Sequence, residues 1–395
     1  MSIFGRSTEL EKSTLLIALE SGVVRVGIVL SAISEKPTLV FEIEESLDAP
    51  GDASIDRLTL ALTNTLSRAC EHTHKEGLPH IASRRVSRGL FDKLVIIYGA
   101  PWYISRARSV SIEHDTPLLL SQKNIPRLIE TYAKDILPHD EQMTLIESAV
   151  TGFTMNGYPV TNPHGKKADR VGMTLFASAV PTRLKRAVEE TVLRFFATKN
   201  PRTYSVPFVV ATTLPRTNTS SPDFLFVDVS SRTTEITHSS REGRLLTVSF
   251  PKGTLFLREE SARGSATLPH EVNYALETGE TTKVHGEEKE RVRESLKKAS
   301  EQWANTLTEV LQKISMSGTT PSALFLRVEK GYREPLYETL MAYKETLKLR
   351  DPMTIKVLSE EETKPFCSVA GGVKSDDILL RLTTLLEESP QPTNK

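Results

Sequence analysis

The chain opens on three short apolar runs. Residues 14–20 (TLLIALE) are apolar and close on an acid, 23–31 (VVRVGIVLS) alternate apolar with small or polar positions, and 37–43 (PTLVFEI) form the third. Ser21-Gly22 and Ser34-Glu35-Lys36 separate them, so the segment predicts an antiparallel meander. After Pro50-Gly51-Asp52 the period changes. Ile55, Leu58, Leu62, Leu66 and Ala69 recur at helical spacing within 54–74, which predicts one amphipathic helix.

The same layout returns far downstream. Residues 223–229 (DFLFVDV) are an apolar run with Asp228 near its end, followed by a turn at Ser230-Ser231-Arg232 and two more strand-like runs, 233–238 and 244–250. Laying Glu20 on Asp228 aligns Ile17-Ala18-Leu19 with Leu225-Phe226-Val227. A duplication of this period predicts two similar α/β halves facing each other, with the two acids lining the cleft between them.

A different pattern lies between the halves. Strand 93–100, helix 121–136 and strands 143–153 and 171–180, with a hairpin signal at Asn156-Gly157, predict a compact α+β insert that interrupts the first half after its first helix. The insert is expected to make few contacts with the second half. The stretch 84–108, with Arg84, Arg85, Arg88, Arg106 and Arg108, reads as a solvated linker into it. Helix 182–197 follows the insert. A charged helix at 287–314 carries the apolar stripe Val292, Leu296, Ala299, Trp303, Leu307, Val310 and Ile314. Strand 323–328, helix 333–347, strand 354–358 and helix 376–388 complete the chain. The implied division is 12–91 for the first half, 92–178 for the insert, 179–221 for the return of the first half, 222–374 for the second half with a helical subdomain at 255–320, and 375–395 for a terminal helix and disordered tail.

Composition excludes several classes. Fifty basic residues balance fifty acidic ones, so no overall field draws the protein to nucleic acid. Cys70 and Cys367 are too few and too far apart for a zinc site or disulfide framework, and they read as buried, reduced thiols of a cytoplasmic protein. His72 and His74 point to different sides of their helix, and with His80 they make no metal site. No run of eighteen apolar residues offers a membrane helix. The terminal helix is acidic, so anionic lipid repels it; it is expected to pack on the first half, with membrane contact at most peripheral. No G-x-S-x-G elbow appears, and no catalytic residue is expected.

Taken together the segments resemble FtsA, of the actin and sugar-kinase superfamily, over roughly residues 14–358. In the insert, Asn156-Gly157-Tyr158-Pro159, Asn162-Pro163-His164-Gly165-Lys166-Lys167 and Val171-Gly172-Met173 are similar to the SHS2-type segment that FtsA and the pilus protein PilM carry. The resemblance implies an actin-like, duplicated RNase H-like fold with an inserted α+β SHS2-type subdomain. It also implies that each half contributes a glycine-rich hairpin to a phosphate cradle, whose Asp organises Mg²⁺ and water.

The hairpins here are altered. The first reads Glu20-Ser21-Gly22-Val23-Val24-Arg25 and the second Asp228-Val229-Ser230-Ser231-Arg232-Thr233-Thr234-Glu235, where FtsA has D-I-G-G-G-T-T-D. A third motif, a Gly-Gly turn against the adenine, falls at Leu326-Arg327-Val328-Glu329-Lys330-Gly331, with a charged pair in place of glycines. Side chains where backbone must approach a phosphate close the cradle. Glu20, Gly22, Arg25, Asp228, Thr233, Thr234 and Glu235 are thus expected to line a vestigial nucleotide cleft with no metal and no cofactor, weak Mg-ATP binding being the alternative. The resemblance implies a cytoplasmic division scaffold that contacts an FtsZ-like filament or membrane proteins and self-associates through the insert. A PilM-like adaptor of type IV pilus assembly and a nucleotide-binding ATPase are the alternatives.

Overall fold

The structure is a computed structural model and describes residues 11–32, 35–49, 54–82, 91–121, 123–133, 136, 142–160, 162–197, 200–217, 223–277, 286–313, 321–347, 353–375 and 377–388. The meander forms as the pattern dictates: β1 (Lys12–Leu19) pairs antiparallel with β2 (Val23–Ser31), and β2 with β3 (Thr38–Ser46). β1 is buried on both faces, which is why it reads as a continuous apolar run and not as an alternation. Helix α1 (Ile55–His72) starts on the Ser54 hydroxyl, which accepts from the Arg57 amide, and buries Leu62, Leu66 and Ala69. Ile55, placed on that face by the sequence, is the first residue of the helix and is 59% exposed.

The next strand corrects the sequence reading. The run at 93–100, assigned to the insert, is β4 (Lys93–Tyr98), which lies parallel to β1 with Ile17 opposite Ile96. It belongs to the first half, so the insert enters after β4 and not after the first helix. The insert opens with β5 (Ile104–Leu119), a strand absent from the sequence reading, which treated Arg106 and Arg108 as linker. Arg84, Arg85 and Arg88 lie outside the described residues. Helix α3 (Asn124–Ala133), after the short α2 (Pro79–Ala82), precedes β6 (Met143–Met155), β7 (Tyr158–Pro159) and β8 (Lys167–Pro181). These strands form a sheet of order β5-β8-β6-β7. Asn156 and Gly157 both take positive φ, 51° and 87°, as a two-residue hairpin between β6 and β7 requires.

After α4 (Thr182–Phe195), β9 (Arg202–Ser205) pairs parallel with β4, and α5 (Val206–Thr213) covers the sheet. The second half repeats the pattern. β10 (Phe224–Val229) pairs antiparallel with β11 (Thr234–Ser239), which pairs with β12 (Leu245–Phe250). After α6 (Thr254–Ser265), α7 (Pro269–Glu277) and α8 (Gly286–Lys313), β13 (Ala323–Val328) lies parallel to β10. α9 (Arg333–Ala342) then leads to β14 (Thr354–Val357), parallel to β13. The first sheet runs β15-β3-β2-β1-β4-β9, with β15 (Ser368–Val369) at its edge, and the second runs β12-β11-β10-β13-β14. Meander, crossover, parallel strand and parallel strand occur in the same order twice.

Val292, Leu296, Ala299, Trp303 and Leu307 of α8 are buried; Ile314 lies outside the described residues. The described residues end in α10 (Leu379–Glu388), whose Leu379, Leu380, Leu382 and Leu386 pack into one core with Leu16 and Ala18 of β1 and Val209 and Val210 of α5. Glu387 fixes its last turn to the first half through Lys93 at 3.1 Å, Arg202 at 2.7 Å and the Tyr204 hydroxyl at 3.1 Å.

The insert does not stand apart. The Ser105 and Thr247 hydroxyls of β5 and β12 are 2.6 Å apart, and the Tyr103 hydroxyl donates to Glu235. A Cβ on Gly152 of β6 would lie 1.8 Å from the Glu242 carbonyl oxygen, and one on Gly243 would lie 2.1 Å from that of Thr151. Bare backbone on both sides lets β6 and the β11–β12 turn meet, which the expectation of few contacts with the second half missed.

Candidate functional site

Two turns meet where the halves face each other. The first, between β1 and β2, holds Glu20, Ser21 and Gly22; Glu20 is anchored by its amide on the Val23 carbonyl and by Trp102 Nε1 on its own carbonyl. The second, between β10 and β11, is closed by the Ser230 amide and hydroxyl, both on the Thr233 carbonyl at 3.0 and 2.9 Å. The amides of Thr254 and Leu255 at the start of α6 hold it from behind, on the carbonyls of Ser230 and Ser231.

The turns touch. The Ser21 and Ser230 hydroxyls are 2.7 Å apart, and the Arg232 amide donates to Ser21 Oγ at 3.0 Å. A Cβ on Gly22 would sit 2.1 Å from Ser231 Cβ. Arg232 also reaches across to donate to the Ala49 carbonyl. Gly22 therefore serves the approach of the opposite turn, which carries side chains at Ser230, Ser231 and Arg232.

Behind the turns lies a buried ion network. Arg327 of β13 stands opposite Asp228 in the parallel register. Its Nη1 donates to Asp228 Oδ1 and Oδ2 at 2.9 and 3.0 Å and to Glu20 Oε2 at 2.9 Å, while Nη2 donates to Glu20 Oε1 at 3.0 Å and to Asp377. Arg25 of β2 donates to Glu20, to Glu44 at 2.8 Å, and lies 3.4 Å from Asp377. Glu20, Arg25, Asp228 and Arg327 are each less than a tenth exposed. A planar guanidinium with five fixed donors is the one side chain able to bind several carboxylates at once in such a place.

The charges are strongly perturbed. Burial alone disfavours both guanidinium charges, yet the surrounding carboxylates hold Arg327 and Arg25 firmly protonated. Burial also acts against Asp377, but Arg327 and Arg25 pull its carboxyl well below the usual range. Asp228 moves the other way: burial pushes it up, with Glu20 and Asp377 adding to the effect against the attraction of Arg327. Four carboxylates around two guanidiniums leave negative charge in excess, and Asp228 carries the strain of it.

Of the residues singled out from the sequence, Glu20, Arg25 and Asp228 converge on this network, and Gly22 lies at the contact between turns. Thr233 closes its own turn. Thr234 is drawn away into the second core, where its hydroxyl donates to the Lys252 carbonyl at 2.6 Å and accepts from Trp303 Nε1 at 2.9 Å. Glu235 faces the insert, where burial pushes its carboxyl up to about 8. Arg327 and Asp377 were not singled out. The signal for Arg327 is a lone charge in the otherwise apolar run ALFLRV; Asp377 carries no local signal.

A cavity of about 730 Å³ opens onto the network itself: Glu20, Asp228, Arg327 and Ser230 line one side of it, and Lys330 and Tyr332 another. On its far side the Tyr332 hydroxyl donates to Asn273 at 3.1 Å, and a Cβ on Gly331 would meet Leu276 Cβ at 3.1 Å. The turns that would cradle phosphates are bonded to each other, and a guanidinium occupies the space between the two acids. Among the described residues no group of three or more His, Cys, Asp or Glu is placed to hold a metal ion, and no helix is long and apolar enough to cross a membrane. Cys70 and Cys367 are buried thiols.

No family model matches the sequence, and no curated protein matches it significantly. Solved structures do. A chain of the PilM-PilN type IV pilus biogenesis complex is similar over 95% of this chain and 98% of its own, with 13% identity and a TM-score of 0.56. A Bacteroides thetaiotaomicron protein with an actin-like ATPase fold aligns over 98% of this chain and 99% of its own, with 14% identity and a TM-score of 0.42. The ethanolamine utilization protein EutJ of Carboxydothermus hydrogenoformans gives 10% identity, 87% and 84% coverage and a TM-score of 0.42. Together with the repeated strand order, the full-length likeness to the first of these establishes that this chain has the actin-like fold.

Proposed function

We propose that the protein is a non-hydrolytic actin-like adaptor that works by docking onto another protein and not by turning over nucleotide. The observation that carries this reading is Arg327, whose guanidinium bridges Glu20 and Asp228 where the sequence resemblance implies a phosphate cradle with its Mg²⁺. A division scaffold contacting an FtsZ-like filament rests on the sequence resemblance alone. A pilus-type adaptor draws on that resemblance and on the full-length likeness to a chain of the PilM-PilN complex, so it is the reading we adopt. By analogy with that pair the partner is a protein. The insert, read as an SHS2-type module, is the proposed docking and self-association surface, and the proposed setting is cytoplasmic, at the inner face of a membrane.

Affinity capture from native lysate, in Mg-ATP or after enzymatic removal of nucleotide, tests this. One protein partner should be recovered equally in both conditions, with phosphate release at background. A partner recovered only with Mg-ATP would overturn the reading.

A further inference from the structure

From the contacts between the halves we infer that this protein is constitutively closed: Arg327 acts as an internal pin that holds the two halves together without any ligand. The inference rests on the reading of a site that takes no nucleotide, and extends it from chemistry to motion.

Besides one apolar core in which Leu16, Val209 and Leu380 pack with Phe224, Phe226 and Phe325, three sets of polar and close backbone contacts cross between the halves. Arg327 extends from the second half to Glu20 on the first and to Asp377, which leads into α10 on the first. The turns bond through Ser21, Ser230 and the Arg232 amide. The insert, covalently part of the first half, meets the second through Ser105 and Thr247, Tyr103 and Glu235, and the Gly152–Gly243 approach. A hinge that closes on a ligand draws its closing energy from contacts with that ligand. Here the equivalent contacts are made between side chains of the chain itself. The pin is buried, so salt screens it little; opening would leave Arg327 with Asp228 on its own half but part it from Glu20 and Asp377, breaking the buried network at the joint.

The two native cysteines are buried, so spin labels attach selectively to cysteines introduced at exposed Asn64 on α1 and Glu309 on α8. Pulsed electron–electron distance measurement on the full chain should give one narrow distribution, unchanged by EDTA or millimolar Mg-ATP. The charge-balanced pair Arg327→Met and Asp228→Asn, which leaves Glu20 and Asp377 to Arg25, should broaden it toward longer distances. An unchanged distribution in that variant would overturn the pin. A broad distribution in the parent chain, indifferent to nucleotide, would overturn closure and leave the adaptor reading standing; a shift on Mg-ATP would overturn both. Hydrogen exchange on the unmodified chain needs no variant to fold. The Arg232 amide, bonded across the joint, should exchange only with global unfolding, and faster exchange there would overturn the inference.

Discussion

Arg327 and Glu20 lie 307 positions apart and meet as a two-pronged ion pair, Nη1 to Oε2 at 2.9 Å and Nη2 to Oε1 at 3.0 Å. The same guanidinium takes Asp228 on its other side. One side chain of the second half thus satisfies both hairpin acids. Removing one partner from such a buried group leaves the other charges uncompensated, so Arg327→Ala should destabilise the protein by about 3–5 kcal/mol. Chemical denaturation checks this; a loss below about 1 kcal/mol would mean the network is far more hydrated than its burial indicates.

The contact between the turns makes a reciprocal prediction. Gly22→Ala places a methyl 2.1 Å from Ser231 Cβ and should cost about 1–3 kcal/mol as overpacking. Ser231→Gly in the same chain should recover most of that loss, giving a favourable coupling in a double-mutant cycle. Additive effects would mean that the turns do not meet.

The joint with the insert should be sensitive to pH. Burial raises Glu235 to about 8, against the Tyr103 hydrogen bond, and raises Glu147 to about 7, against hydrogen bonds from Ser205 and Ser178. Each carboxyl is protonated in the folded protein at a pH where the unfolded chain has already lost the proton. The native state therefore binds more protons between about pH 4.5 and 8, and stability falls as pH rises through that window. Glu235→Gln should flatten the upper part of the slope, and an unaltered slope would place the titration elsewhere.

Tyr103→Phe isolates the same joint. It removes the donor to Glu235 Oε1, while Oε2 already has no hydrogen-bond partner among the described residues. A buried acid losing its donor should cost about 1–3 kcal/mol. A neutral outcome would show that water reaches Glu235.

Much of this architecture is legible in the sequence because it is written locally. The β1 and β10 runs, each with an acid at or just past its end and a small-residue turn, reveal the duplication, and Asn156-Gly157 reveals its hairpin. What escapes is decided at a distance. β4 sits next to the insert in the chain but pairs with β1, and nothing in KLVIIY states which sheet it joins. β5 is an edge strand in which exposed Arg106 and Arg108 alternate with half-buried Ser105 and Ala107, so basic residues disguise it as linker. Arg327 has meaning only against Glu20 and Asp377, each from a different part of the chain. Thr234, a phosphate-loop threonine by resemblance, is turned to Trp303 by packing that the hairpin sequence does not encode.

If the hairpins hold each other and Arg327, the cavity beside them lacks a phosphate cradle and Mg-ATP should not bind. Titration calorimetry of the full chain with Mg-ATP tests this most directly. No saturable heat is expected up to millimolar ligand; saturable binding at submillimolar concentration that is lost in Asp228→Ala would contradict a closed, nucleotide-free site.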